Sequence, residues 1–334
     1  MIEKSGDPPS LIILNNFLTV FKFSRLLEIH TYQLSVIPKG FIENCGENIY
    51  KGAKKMIDLH CHTTISDGSD STKELIAKAK EKGITHLAIT NHDTTLGLKE
   101  AVKIGDELGV EIIPGIEISA YDFKREKRVH ILGYYFDQSH QAIQEISNTL
   151  LARRQETSRK MIDLLQENDY EITWEQVNSY SGETVVFKQH IMHTLMETGY
   201  CDELHGELYK KLFSREQNKR GIAYVPVEYV EMNEAVKAVK KAGGVPVLAH
   251  PGDFDNFAAV PELVEVGLEG LEAKHPNHNQ KMEKKAFELA QEFDLITTGG
   301  SDYHGFYGAD SVSLGVPELE MNSVQQLQQK GVQK

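Results

Sequence analysis

The chain has 334 residues, 40% hydrophobic and 25% charged, with a formal net charge of -13. That size and balance suit a globular protein of about two domains with a sizeable core. The acidic charge argues against a broad nucleic-acid surface or an anionic membrane partner, while leaving room for a small phosphorylated substrate neutralised by cations. Three scattered cysteines, Cys45, Cys61 and Cys201, make no disulfide framework and suit a reducing cytoplasm.

Residues 1–55 differ from the rest. The apolar run Leu11–Phe23 is interrupted by Asn15, Asn16 and Lys22 and is too short to span a bilayer. No basic segment with a small-residue cleavage site marks a secretory signal. The expectation is an upstream extension, with the working fold starting near Met56.

From Met56 strands and helices alternate. Met56-Ile57-Asp58-Leu59 is an apolar run ending in His60-Cys61-His62, with Asp67-Gly68 close behind. Alternate side chains share a face in extended chain, so His60 and His62 point together and Cys61 points away. Ser71–Glu74 is a capping box opening a helix that closes at Gly83. A strand from Ile84 to Thr90 runs into Asn91-His92-Asp93. A helix near Leu98–Leu108 closes at Gly109, and the strand Val110–Ile118 carries Glu117 at its end. Val129–Phe136 is a strand bearing His130. This rhythm indicates a parallel sheet with helical crossovers.

Gln141–Gln166 then reads as one long polar helix carrying Arg153, Arg154 and Arg159. Trp174, Phe187–Met192 and a helix over Glu203–Phe213 follow, so 140–224 is read as a helical insert between barrel parts at 56–139 and 225–320. Asn233 is the expected cap of a helix over Glu234–Ala242. Val245–Ala249 ends in His250-Pro251-Gly252, Leu268–Ala273 leads to Lys274-His275-Pro276-Asn277-His278, a helix spans Gln280–Glu292, and Leu295–Thr298 ends in Gly299-Gly300-Ser301-Asp302-Tyr303-His304. Residues 321–334 read as a tail.

Loops leaving the C-terminal ends of parallel strands converge on one face. His60, His62, Asp67, His92, Glu117, His250, Asp302 and His304 sit at such exits, with His130 beside them. Imidazole and carboxylate without thiolate suit Zn, Mn or Fe in open sites, and nine groups exceed the needs of one ion. For Arg153 and Arg154 a solvated helix face is an equal reading. Lys188 and His190 are favoured as substrate contacts. His275 and His278 are read as substrate or supporting groups on the same footing as a loop role, Asp93 as orienting His92 or capping a helix, and His86 and Cys61 as structural.

The motifs Asp58–His62, Ser66-Asp67-Gly68, Thr90–Asp93, Gly115-Ile116-Glu117, His130–Gly133, Ala249–Gly252 and Gly300–His304, in this order, resemble the polymerase-and-histidinol-phosphatase (PHP) superfamily of metal-dependent phosphoesterases. The resemblance implies an α/β fold, a distorted (β/α)7 barrel with a helical insert, and three divalent ions. It implies one ion on His60, His62, Glu117 and Asp302, a second on Glu117, His130 and His250, and a third on Asp67, His92 and His304. Asp67, Glu117, Asp302 and His304 would serve catalysis. Lys188, His190, Arg153, Arg154 and His278 are the expected substrate contacts. The insert resembles the branch acting on the 3′-phosphate of nucleoside 3′,5′-bisphosphates, with digestion of short single-stranded RNA from its 5′ end as a further activity. In that branch an arginine stands where this chain has Lys188, a point charge without the bidentate fork. A histidinol-phosphate or other small-phosphoester phosphatase and a catalytically inert binding module are the alternatives.

Overall fold

The computed structural model describes residues 56–182, 184–308 and 312–331. The extension read at 1–55, with Cys45, lies outside the described residues.

Seven strands follow one another around a curved sheet in the order β1 (Met56–Asp58), β2 (Ile84–Ile89), β3 (Glu111–Asp122), β4 (Lys127–Tyr134), β6 (Val245–Leu248), β7 (Gly270–Lys274) and β8 (Ile296–Gly299). The two-residue β5 (Val230–Glu231) pairs with β3 outside this path. Beyond the ends of β1 and β8 a bridge joins Cys61 to Tyr303, and His62 N donates to Tyr303 O at 2.9 Å, so the last strand returns beside the first. The result is the expected distorted seven-stranded barrel.

One strand departs from the all-parallel expectation. β4 runs antiparallel to both β3 and β6. The reason is connection length: β3 continues to Asp122 and β4 begins at Lys127, leaving a short turn that cannot hold a helical crossover. Glu117 therefore lies within β3 rather than at its end.

The helices are α1 (Thr72–Glu81), α2 (Leu98–Leu108), α3 (Gln141–Glu167), α4 (Trp174–Asn178), α5 (Lys188–Glu197), α6 (Glu207–Phe213), α7 (Met232–Lys241), α8 (Val260–Glu265), α9 (Gln280–Glu292) and α10 (Met321–Lys330). Ser71 and Glu74 form the expected capping box on α1. The cap of α7 is Glu231, whose carboxylate accepts from Asn233 N at 2.6 Å; Asn233 lies inside the helix, not before it. α6 starts four residues later than expected, at Glu207.

Burial sorts the side chains into three cores. Ile57, Ala88, Ile113, Leu132, Val247 and Ile296 fill the barrel interior. The residues read as a tail also reach it: α10 buries Val324 and Leu327 fully in this cluster, because its apolar face covers one end of the barrel. Leu87, Ile116, Ile131 and Leu248, on the other face of the strands, pack beneath α1, α2 and α7. The insert has its own core, including Met161, Leu165, Ile191, Leu195 and Leu212.

Candidate metal centre

Backbone constraints bring β1 and β8 together at the barrel mouth. Asp58 is fully buried; its Oδ1 accepts from Ser301 N at 2.9 Å and His60 N at 3.3 Å, and its Oδ2 from Gly315 N at 2.8 Å. Burial opposes that charge, so three backbone donors keep the carboxylate satisfied where no water reaches. A side chain at Gly300 would collide with Cβ of His60, and one at Gly68 would come within 2.6 Å of the His62 carbonyl. These glycines permit the close approach that places Asp302 and Asp67 against the two histidines. Asp302 itself has φ +51°, a left-handed conformation that turns its carboxylate inward.

Glu117 is the hub. Its Oε2 lies 3.3 Å from His60 Nε2, 3.2 Å from His62 Nε2 and 3.2 Å from His92 Nδ1. Its Oε1 lies 2.7 Å from His130 Nδ1 and 3.0 Å from His250 Nε2. Asp302 Oδ1 is 3.3 Å from His60 Nε2 and 3.1 Å from His62 Nε2. Asp67 Oδ1 faces His304 Nε2 at 3.4 Å and His62 Nδ1 at 3.5 Å. The ligating atoms fall into three groups: His60, His62, Glu117 and Asp302; His62, Asp67, His92 and His304; and His92, Glu117 and His130. Eight of the nine expected ligands fall in these groups, and His250 joins them only through Glu117 Oε1, in a cluster whose Asp302, His130 and His304 are partly exposed.

The donor set fits divalent ions. Nitrogen and oxygen ligands at about 2.1 Å in a tetrahedral site stand about 3.4 Å apart, close to the separations here. His60 Nε2, His62 Nε2, His92 Nδ1, Asp67 Oδ1 and Asp302 Oδ1 are buried and lack hydrogen-bond partners. So many orphaned polar atoms facing one space would be costly unless a cation satisfies them. Burial works against ionising Glu117, but His92, His130 and His60 hold it well below the usual carboxylate range. Asp67 and Asp302 are likewise depressed against their burial, Asp67 by His92 and His304, Asp302 by His60 and His304.

A second ring supports these groups. Glu272, on β7, is fully buried. Its Oε1 lies 3.1 Å from His60 Nδ1, and its Oε2 accepts from His250 N at 2.7 Å. A carboxylate on Nδ1 fixes the tautomer that leaves the Nε2 lone pair free for an ion. The sequence signal was one of two acidic residues, with Glu269, in the run Leu268–Ala273, and sequence reasoning passed it over. Asp93 accepts from Ser119 N at 2.7 Å and Arg154 Nη2 at 2.8 Å. It therefore anchors Arg154 rather than His92.

Two cavities open onto the cluster, and Gln189 and His304 border both. The first, about 240 Å³, is walled by Arg128, Arg154, Lys188 and Tyr229 beside Asp67, His92 and His130. Among the described residues, Arg128 and Lys188 have no carboxylate partner; Lys188 instead lies over the rings of Phe213 and Tyr224. Burial, then Arg128, Arg215 and Arg154, bring Lys188 down to about 7. Arg154 stacks on Phe187, and its Nε is buried without a partner. The second cavity, about 210 Å³, is lined by His205, His275, Asn277, Asp302 and Val312 and, among the described residues, carries no lysine or arginine.

The remaining expected contacts lie elsewhere. His190 lines neither cavity; its Nδ1 accepts from Phe187 N at 3.1 Å at the start of α5. Its neighbour Gln189 faces the centre, donating to Asp67 Oδ2 at 3.3 Å. Arg153 donates to Glu228 O at 3.2 Å and borders an outer groove. His278 is engaged at both nitrogens, Nδ1 with Ala273 O and Nε2 with Gly252 N, each at 3.0 Å, which leaves none for a substrate and speaks against the Asp253, His275 and His278 group as a further ion site. Arg128 and Gln189 were not singled out from sequence.

The PHP domain family model matches residues 58–244. The chain is 41% identical over 252 residues to a phosphoribosyl 1,2-cyclic phosphate 1,2-diphosphodiesterase of Eggerthella lenta, covering 75% of this chain and 95% of that protein. It is 30% identical to a 5′-3′ exoribonuclease of Salmonella typhimurium, over 74% of this chain and 84% of that one. Among solved structures, a Bifidobacterium adolescentis protein assigned as a metal-dependent phosphoesterase superposes with a TM-score of 0.77 at 29% identity, covering 84% of this chain and 98% of its own.

Proposed function

The chain belongs to the PHP family and is a metal-dependent phosphoesterase, and on that premise we propose that its substrate is a pentose phosphoester bearing a second, distal phosphate. The favoured form is a five-membered cyclic phosphate of a phosphorylated ribose, the substrate class named for the Eggerthella relative. The observation that carries this reading is the cationic cavity next to the cluster. Its volume of about 240 Å³ suits a sugar phosphate, falling just below the ~300–1,000 Å³ of drug-sized pockets. Arg128 and Lys188, without a carboxylate partner among the described residues, supply charge for the distal phosphate, and Arg154, held by Asp93, offers Nε.

We assign His60, His62, Asp67, His92, Glu117, His130, His250, Asp302 and His304 as ligands of a multinuclear centre. Divalent ions held there would supply Lewis acidity toward water and charge neutralisation for the phosphoryl oxygens. The protein's own part is placement. Glu272 sets the tautomer of His60, Gln189 steadies Asp67, and the cations fix the distal phosphate so that the ester to be cleaved faces the cluster.

A second reading, release of the 3′-phosphate from nucleoside 3′,5′-bisphosphates, uses the same distal-phosphate contacts. It is favoured by the wider groove beyond Arg128 and Tyr229, which exposes Tyr121, Phe123 and Tyr224 to a base. The test is phosphate release and product analysis across cyclic phosphoribosyl phosphate, a nucleoside 3′,5′-bisphosphate and histidinol phosphate, with Mn, Fe and Zn. The proposal expects the cyclic sugar phosphate to give the highest kcat/KM. It expects the analogue lacking the distal phosphate to lose most of it. Equal turnover with and without that phosphate overturns the assignment.

A further inference from the structure

The cationic cavity has a neighbour on its outer side, a groove of about 900 Å³ bordered by Tyr121, Phe123, Arg153 and Tyr224. Arg128, Val227 and Tyr229 line both spaces, so these residues form the wall between them. The wall is held on both flanks. Before Tyr229, Glu228 O accepts from Arg153 Nη1 at 3.2 Å, which ties the segment to α3. After it, Val230 and Glu231 of β5 pair with Ala120 and Tyr121 of β3. Tyr229 also packs against the core beneath the barrel's helices. The Arg128 guanidinium lies over its ring, 5.6 Å from the centroid and within reach of a cation–π contact. Arg128 is fixed in turn by β4, and its carbonyl accepts from Asn256 Nδ2 at 2.7 Å.

Volume makes this wall decisive. The cationic cavity, at about 240 Å³, falls below the ~300–1,000 Å³ of pockets for drug-sized ligands. A nucleoside bisphosphate adds a base to the sugar and phosphates that such a space holds. The base can lie only beyond the wall, where the rings of Tyr121, Phe123 and Tyr224 offer faces for stacking. We propose that Tyr229, braced by Arg128, is a specificity-determining residue of this centre: its ring closes the cationic cavity from the outer groove and restricts turnover to sugar phosphates. This rests on the distal-phosphate reading above and names the residue that decides between its two forms. The discrimination is steric. Both substrates meet the same cations and the same cluster, and only the one with a base meets the ring. Removing the ring adds room where the base must pass and leaves Arg128, Arg154 and Lys188 in the sequence to hold the phosphate.

The test compares kcat/KM of the metal-loaded full chain on cyclic phosphoribosyl phosphate and on a nucleoside 3′,5′-bisphosphate. Tyr229→Ala is expected to raise the value for the bisphosphate about tenfold or more, the scale on which a pocket wall discriminates, with no gain on the cyclic sugar phosphate. Tyr229→Phe keeps the ring and should keep the native ratio of the two values within about twofold. A residue that only supported the fold would lower both together, so a rise on one substrate is a readout that a structural role does not produce. Tyr229→Leu keeps an apolar contact with the core without the reach of the ring; it carries the same expectation and decides the matter if Tyr229→Ala does not fold. The inference is overturned if the folded variant keeps the native ratio or loses both activities in proportion. A ratio shifted only by loss on the sugar phosphate overturns it too, as does a Tyr229→Phe variant that gains the bisphosphate as strongly as Tyr229→Ala. Wild-type protein that prefers the bisphosphate, or that turns over neither compound, would instead remove the reading on which the inference rests.

Discussion

Replacing Glu272 by glutamine conserves volume and changes one thing: the group facing His60 Nδ1. In the native protein that group is a fully buried carboxylate 3.1 Å away, with its other oxygen occupied by His250 N at 2.7 Å. The amide of the glutamine variant, once its oxygen takes the His250 N–H, presents an NH2 to His60. Nδ1 must then accept, and the ring proton moves to Nε2, the atom that faces Glu117 and Asp302 at 3.3 Å. A protonated Nε2 cannot ligate. Loss of such a carboxylate partner costs about 10–100-fold in metal affinity, equivalent to about 1.4–2.7 kcal/mol. The assay is competition with a chelator of known affinity, read by metal content after desalting, with circular dichroism as a fold control. Glu272→Asp, which keeps the charge, should recover part of the affinity. Metal affinity of Glu272→Gln within twofold of wild type would refute the reasoning.

Asp302→Asn should abolish turnover and leave the fold largely intact, checked by product analysis of phosphoester hydrolysis beside a thermal melt; turnover at the native rate would contradict the assignment of its carboxylate. Lys188 lies near 7 in the free protein because of burial and its neighbouring arginines, and a bound phosphate should raise it again. The cation is therefore present below about pH 7 and is lost as pH rises through that value, so affinity for the doubly phosphorylated substrate should weaken above it, with proton uptake on binding seen by calorimetry in two buffers. Lys188→Arg should flatten that limb of the profile. Removing metal should lower the melting temperature, since a ligand bound only by the native state at 100 times its Kd contributes about 2.7 kcal/mol; an unchanged melt after chelation would speak against a resident centre.

The strand exits were legible because their signals are local. An apolar run followed by His, Asp or Glu recurs from His60 to His304, and the long polar helix of the insert begins at the expected Gln141. What escaped was set by pairing across the chain. The antiparallel course of β4 follows from the short Asp122–Lys127 connection, which a count of strands alone does not reveal. Glu272 looked like one acidic residue in a buried strand, and its purpose appears only when His60 folds against it from 212 positions away. Lys188 and His190 share one short motif, yet the helical turn at Phe187 aims Lys188 into the cationic cavity and buries His190 as a cap. The apolar face of α10 was hidden in a segment rich in glutamine, where Val324 and Leu327 are the cues spaced to pack on the barrel.

The most direct test of the central claim is metal stoichiometry measured together with phosphoester hydrolysis, followed by product analysis, on the same preparation. The account predicts that the chain retains more than one transition-metal ion per molecule, that chelation removes ions and turnover in parallel, and that adding metal back restores both. Turnover of the phosphoester by thoroughly metal-free protein, or no retention of any divalent ion by folded chain, would contradict it.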